Sequence, residues 1–390
     1  MKKFSPFWVF CYTLTIMNKE NASREKKTLL RPLLLIFAGV LFFAGWFFLS
    51  NLLEAQRVVY DRNAAAVLVS EEAPAVVPKL DVLAYEKKMN AVVHNVLLSG
   101  ATSTNPADLV FSTTTNSSLW PVKAVYPNVG ALLPFNRIVA YYGNLYSKNM
   151  GCLGEYPEDE MLSRLDNEVA KWERADPRTP VIPALHYIAA TAQGSPGKEG
   201  KYLLRMPDDQ IDEVLRIAKK RNAIVFLDLQ VALSNLQTEL PYIEKYLKMP
   251  QVHLGIDPEF SMKTGAKPGS VVGTYDAADI NYAANYLAKL VRENNLPPKV
   301  LIVHRYTQAM VTNYKRIKPL PEVQIVMHMD GWGPAAKKIN TYEQFIYSEP
   351  VQFTGFKLFY KNDIFDAGTS LMTPKELLKL TPQPMYIQYQ

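Results

Sequence analysis

The stretch "VHLGIDPEF" at 252–260 ends an apolar run in two carboxylates that flank a proline. Proline lacks the N–H that the ladder of a central strand needs, so Pro258 marks where the strand stops. Asp257 is then the last residue on the inward face, and Glu259 stands on the loop rim. Two carboxylates this close repel when both are charged. The repulsion raises the pKa of one and suits it to general acid work. Asp-Pro also terminates strands that serve no site, so the pair gains meaning only from its neighbours.

Those neighbours follow one rule. In "AIVFLDLQV" (223–231), Asp228 and Gln230 share a face opposite Leu227 and Leu229. In "VQIVMHMDGWG" (323–333), Gln324, Val326, His328 and Asp330 share one face. "PVIPALHYIAA" (180–190) carries His186 and "KVLIVHRY" (299–306) carries His304. "GFKLFYKN" (355–362) ends in Lys357 and Lys361, and "PMYIQYQ" (384–390) carries Gln388. The polar residues gather at the C-terminal ends on one parity, whereas a solvent-facing antiparallel strand spreads them along its length. Glu259, Asp257, Asp330 and Asp228 form the candidate acid–base set. His186, His304, His328, Tyr142, Trp332, Lys361 and Gln388 form the candidate substrate-binding set. Glycosidic cleavage needs such an acid for the leaving oxygen and a second group facing the anomeric carbon. Trp332, between two glycines, is placed to stack on a sugar ring.

Two other readings stay open. The same His, Asp and Glu residues offer enough N and O atoms for one or two divalent ions, as in a metal-dependent barrel hydrolase. No His-x-His closes the first strand, however, and the chain has no CxxC or Cys/His zinc pattern. No metal or cofactor is therefore assigned. The third reading is a non-catalytic envelope protein that binds glycans or acts as a scaffold.

Eight strand-like runs, beginning with "RIVAYYG" (137–143), lie in residues 137–390. Amphipathic helical patterns separate several of them. "DDQIDEVLRIAKKRN" opens on Asp caps, and "TPKELLKL" has Thr373 as cap with Pro374 at the first helical position. The fold class is α/β, a (β/α)8 TIM-type barrel, whose usual size is about 250 residues. An open doubly wound sheet is the alternative, but no glycine-rich fingerprint follows the first strand. Long Gly/Pro-rich loops after strands two and four would wall a groove on the active face.

The Asp-x-Glu ending strand four, with "MHMDGWG" ending strand six, resembles the chitinase-type and related lysozyme-type barrel glycoside hydrolases. The resemblance implies that Glu259 is the proton donor. It implies that Asp257 and Asp330 orient the donor or an acetamido group of the substrate. Two departures stand out: the further upstream Asp residues of the chitinase motif are replaced by Val252 and Gly255, and strand eight carries "IQYQ" where a tryptophan is expected. The 137–390 stretch as a whole also resembles uncharacterised membrane-anchored bacterial surface proteins.

The net charge is +6, of which +5 lies in residues 1–31. A basic leader is not the basic folded face of a nucleic-acid binder, so no nucleic-acid partner is expected. "PLLLIFAGVLFFAGWFFLSNLL" (32–53) is uncharged, and its 22 residues span roughly 30 Å as a helix. The positive-inside rule then places residues 1–31 in the cytoplasm and the remainder outside. The expected order is a cytoplasmic leader (1–31), a transmembrane anchor (32–53), a stalk or linker with one short helix (54–136) and the barrel (137–390). Met17 is an alternative start. Cys11 and Cys152 fall on opposite sides of this anchor, so no disulfide between them is expected. The expected localisation is a single-pass cell-membrane protein with an extracytoplasmic C-terminal domain. Its expected partner is polysaccharide or peptidoglycan.

Overall fold

The structure is a computed structural model that describes residues 79–94 and 119–390. Eight strands run parallel: β1 (Arg137–Gly143), β2 (Val181–Ala192), β3 (Ile224–Leu229), β4 (Val252–Ile256), β5 (Lys299–Arg305), β6 (Val323–Met329), β7 (Phe353–Leu358) and β8 (Tyr386–Tyr389). Each pairs with the next, and β1 pairs with both β2 and β8, which closes the barrel. A closed parallel sheet hides both faces of its strands. Accordingly, every residue of β1, β3 and β5 is buried.

The alternation of side chains sorts two apolar layers. Leu301 and Val303 of β5 pack outward under the helices with Ile325 and Met327 of β6. Val300 and Ile302 turn into the lumen with Ile138, Phe226, Val326 and Tyr386. The helices between strands are α2 (Glu158–Ala175), α3 (Asp208–Lys219), α4 (Leu236–Leu247), α5 (Ala277–Glu293), α6 (Ala335–Tyr342) and α7 (Pro374–Leu377). The β5–β6 connection has no α-helix: two 3-10 turns, Gln308–Met310 and Tyr314–Arg316, flank a short strand, Val311–Thr312, that pairs with Tyr275–Asp276. Thr373 caps α7 as expected, in a reciprocal box with Glu376. The cap expected for α3 is different: Pro207 precedes the helix, and Asp208 and Asp209 lie inside its first turn, where their charge favours the positive end of the helix dipole. Strand two continues past its expected end and folds back on an antiparallel strand, Leu203–Arg205, so the loop between them is a hairpin connection.

One element of the expected stalk belongs to the barrel. Helix α1 (Val82–His94) buries Tyr85, Met89 and Val92 against the lumen residues at the N-terminal end. The chain leading into β1 is stitched to β6, because Gln324 accepts from Leu133 N at 3.0 Å and donates to its carbonyl at 2.6 Å. Gln324 is therefore committed to the floor of the barrel. Among the described residues no helix is long and apolar enough to cross a membrane. The expected leader (1–31) and anchor (32–53) lie outside the described residues. Met89→Ala should destabilise the protein by about 2–5 kcal/mol in urea unfolding, the usual range for a truncated core methionine. An unchanged midpoint would mean that α1 does not seal the lumen.

Candidate active site

The strand that opened the question ends at Ile256, and Asp257 starts a 3-10 turn, Pro258–Phe260. Asp257 Oδ1 accepts the backbone N–H of Glu259 at 3.0 Å, so the first acid caps the turn that carries the second. Proline at the first position of the turn has no N–H to waste. Gly273 closes over this turn and donates to the Glu259 carbonyl at 2.6 Å. A Cβ on Gly273 would stand 2.5 Å from Pro258 O, so only glycine lets the long loop after β4 lie there.

Both acids line one cavity of about 450 Å3 at the C-terminal mouth of the barrel. Tyr142, Gln230, Tyr306, Asp330, Trp332, Lys357 and Phe359 line it with them. Trp332 is 55% exposed, with the Lys337 ammonium 4.8 Å from its ring centre. The loops after β6 and β7 are held together by Asp363. It accepts from Gly333 N at 3.0 Å and Phe359 N at 2.9 Å, and pairs with the buried Lys338. That clamp sets Trp332 and Phe359 on the same rim.

Asp330 forms the other side of the floor. Lys357 Nζ pairs with its Oδ1 at 2.9 Å, and His304 Nδ1 bonds its Oδ2 at 2.7 Å. Lys357 also lies 4.0 Å above the Tyr142 ring. Burial opposes the charge on Asp330, but Lys357 and His304 outweigh it and hold the carboxyl well below its usual range. Asp257 forms no ion pair among the described residues. Burial pushes its carboxyl well above the usual range; His304 pulls it down, and the charges of Glu259, Asp228 and Asp330 add to the rise. Burial and the Asp330 charge also raise Glu259, and the Tyr306 hydroxyl that hydrogen-bonds it opposes them. The cavity thus holds one ionised carboxylate and two acids biased toward their neutral form.

Beneath this floor lies a buried layer. His186 Nδ1 meets Tyr386 Oη at 2.6 Å, and Gln388 donates to the same oxygen at 2.8 Å. Tyr142 donates to Asp228 Oδ2 at 3.2 Å. Burial opposes the charge on His304, yet Asp228 and Asp330 raise its pKa to about 10. Burial lowers His186 to about 4, against the pull of Asp228.

The structure brings together most of the expected residues, on two levels. Glu259, Asp257, Asp330, Tyr142 and Trp332 line the cavity. Asp228, expected among the acids, and His186, His304, His328 and Gln388, expected to bind substrate, are fully buried and do not line its wall. Lys361 stands outside the cavity and pairs with Glu155. Strand β7 ends at Leu358, so the alternation that aims Lys357 inward stops short of Lys361. Sequence reasoning left Tyr386 unassigned, although its parity matches Gln388. It also left out Tyr306, which no alternation signals because it follows the end of β5.

No protein-family model matches the chain, and no curated protein matches it. Among solved structures it is similar to a cellulase, Cel5C_n, at 14% identity and TM-score 0.33, over 60% of this chain and 68% of that one. It is similar to the cellulose synthase subunit Z of Clostridioides difficile at 10% identity and TM-score 0.34, over 65% and 92%. It is also similar to Thermotoga maritima Cel5A in complex with cellobiose, at 12% identity and TM-score 0.33, over 64% and 88%. These likenesses carry no argument about activity, and the barrel rests on its own strand pairing.

The raised Asp257 has a consequence for stability. Its folded pKa lies above the unfolded value near 3.9. As pH rises past that value the unfolded chain releases this proton while the folded chain keeps it, so this group makes stability fall until the folded pKa is passed. Asp257→Asn keeps the shape and removes the titration. Urea unfolding from mildly acidic to neutral pH should show a shallower decline for the variant than for the wild type. Parallel pH profiles would contradict the assignment.

Proposed function

We propose that this chain is a glycan-acting hydrolase that cleaves glycosidic bonds by carboxylate acid catalysis. The observation that carries the reading is geometric. One cavity at the C-terminal mouth of a parallel barrel holds Asp257, Glu259 and Asp330 on its floor and an exposed tryptophan on its rim. Barrel enzymes place their chemistry at that mouth.

Glu259 is the proton donor. It is half-buried, biased toward the neutral form and fixed by the turn that Asp257 caps. It gives its proton to the leaving glycosidic oxygen as the bond to the anomeric carbon breaks. Asp257 positions the donor. Asp330, pinned by Lys357, supplies a fixed negative charge on the floor toward the positive charge that develops on the sugar. Trp332 and Phe359 offer flat apolar faces to sugar rings. We further propose that residues 32–53 anchor the chain in the cell membrane, with the barrel extracytoplasmic. The substrate is then an envelope or extracellular polysaccharide, peptidoglycan included. The support is the uncharged 22-residue run and the basic leader before it.

Release of reducing ends from peptidoglycan fragments and other envelope glycans tests the reading. Glu259→Gln should lower kcat by about 10²–10⁴-fold, the usual worth of a general acid, and leave binding intact. Trp332→Ala should raise KM about tenfold, roughly 1.4 kcal/mol of lost contact, and change kcat little. A wild type that binds these glycans but releases no sugar, with Glu259→Gln indistinguishable from it, would make the barrel a non-catalytic binding domain.

A further inference from the structure

Three polar atoms in the lumen converge without satisfying one another. Asp228 Oδ1 lies 3.4 Å from His186 Nε2 and 3.5 Å from His304 Nε2, and all three atoms fall within 4.8 Å of one another. These contacts are long ion pairs outside hydrogen-bond geometry, and none of the three atoms has a hydrogen-bond partner among the described residues. A metal here would take the place of the proton that Asp228 and Asp330 otherwise favour on His304. The side chains of all three residues are fully buried. An unsatisfied polar atom at this depth costs on the order of 1–3 kcal/mol, so three aimed at one point call for a common partner.

The two separations from Asp228 Oδ1 match a metal. Four ligands about 2.1 Å from a tetrahedral ion stand about 3.4 Å apart along each edge. Three facial ligands of an octahedral ion at the same bond length stand closer, at about 3.0 Å. The remaining ring nitrogens complete the pattern of a metal-bound histidine, which passes its other N–H to a fixed acceptor. His304 Nδ1 bonds the Asp330 carboxylate at 2.7 Å, and His186 Nδ1 bonds Tyr386 Oη at 2.6 Å. The facing strand leaves room: a Cβ on Gly255 would lie 2.5 Å from His186 Nε2 and closer still to Asp228 Oδ1. A second grouping, His304 with His328 and Asp330, shares His304, and it has Asp330 already held by His304 Nδ1 and Lys357.

We propose that His186 Nε2, His304 Nε2 and Asp228 Oδ1 bind a zinc ion in the barrel lumen, beneath the cavity floor. The ion ties β2, β3 and β5 together at the level that supports Asp330. It goes beyond the glycan-acting reading and does not depend on it, because the rim carboxylates are not its ligands.

The test is metal content and ligand-field spectroscopy on the full-length chain purified without chelator. The wild type should retain about one equivalent of zinc. After stripping and reloading with cobalt it should show the intense visible absorption of a tetrahedral site. His304→Ala and Gly255→Ala should lose both signals, and Glu259→Gln should keep both. A wild type that takes up no zinc, or whose cobalt form shows only the weak absorption of an octahedral ion, overturns the proposal. So does a metal lost in Glu259→Gln and kept in His304→Ala, which would place it in the cavity. If the lumen variants fail to fold, the wild-type cobalt spectrum decides alone. Metal content is read without any glycan, so its failure is separate from a failure of glycan cleavage.

Discussion

The Asp330 carboxylate is shared between Lys357 from β7 and His304 from β5, and the floor of the cavity is organised around that shared charge. A carboxylate buried to this degree would be driven to its neutral form without such partners. With them it stays charged, and its charge then acts on everything nearby. It helps raise His304 to about 10, and it adds to the burial that raises Glu259 above the usual carboxylate range. Breaking such a buried pair by removing one partner is costly, typically 3–5 kcal/mol, because the other charge is stranded. The pair therefore constrains which residues can stand around it.

The two carboxylates of the Asp-Pro-Glu turn form no ion pair among the described residues, and the cations that hold Asp330 pull on them too weakly to offset their burial. That contrast is the physical basis of division of labour among acids on one site: environment, not residue type, separates the charged from the neutral. The turn makes the arrangement compact. Both acids face the cavity, but Asp257 commits one oxygen to capping the turn, and Glu259 stands beside Tyr306. The apolar lower lumen and α1 exclude water from below, which keeps the local dielectric low and the separation large.

Much of this was readable from the chain alone. Alternation identified the inward face of β3, β4 and β6 correctly, because a closed parallel barrel buries both faces and leaves parity as the only variable. The eight strands were legible as short apolar runs. Depth was not legible. His186, Asp228, His304 and His328 have the right parity but sit one layer below the cavity, since the register of neighbouring strands sets height and no single strand encodes it. Lys361 was read as inward by extending the alternation past Leu358, where the strand has already ended. Helix α1 reads as part of a stalk because nothing near it in the chain shows what its apolar positions pack against. Its partner surface is assembled from strands far along the chain, so no local pattern announces it.

The most direct measurement is infrared difference spectroscopy of the carboxyl groups in chain carrying isotope-labelled aspartate, titrated through the range where ordinary carboxylates ionise. The account predicts one aspartate carboxyl that keeps its neutral C=O band after the others have lost theirs, and that this band is missing in Asp257→Asn. Complete ionisation of every aspartate in the ordinary range would contradict it. Asp257 would then be charged like any other aspartate, and burial at this mouth would not hold an acid in its neutral form.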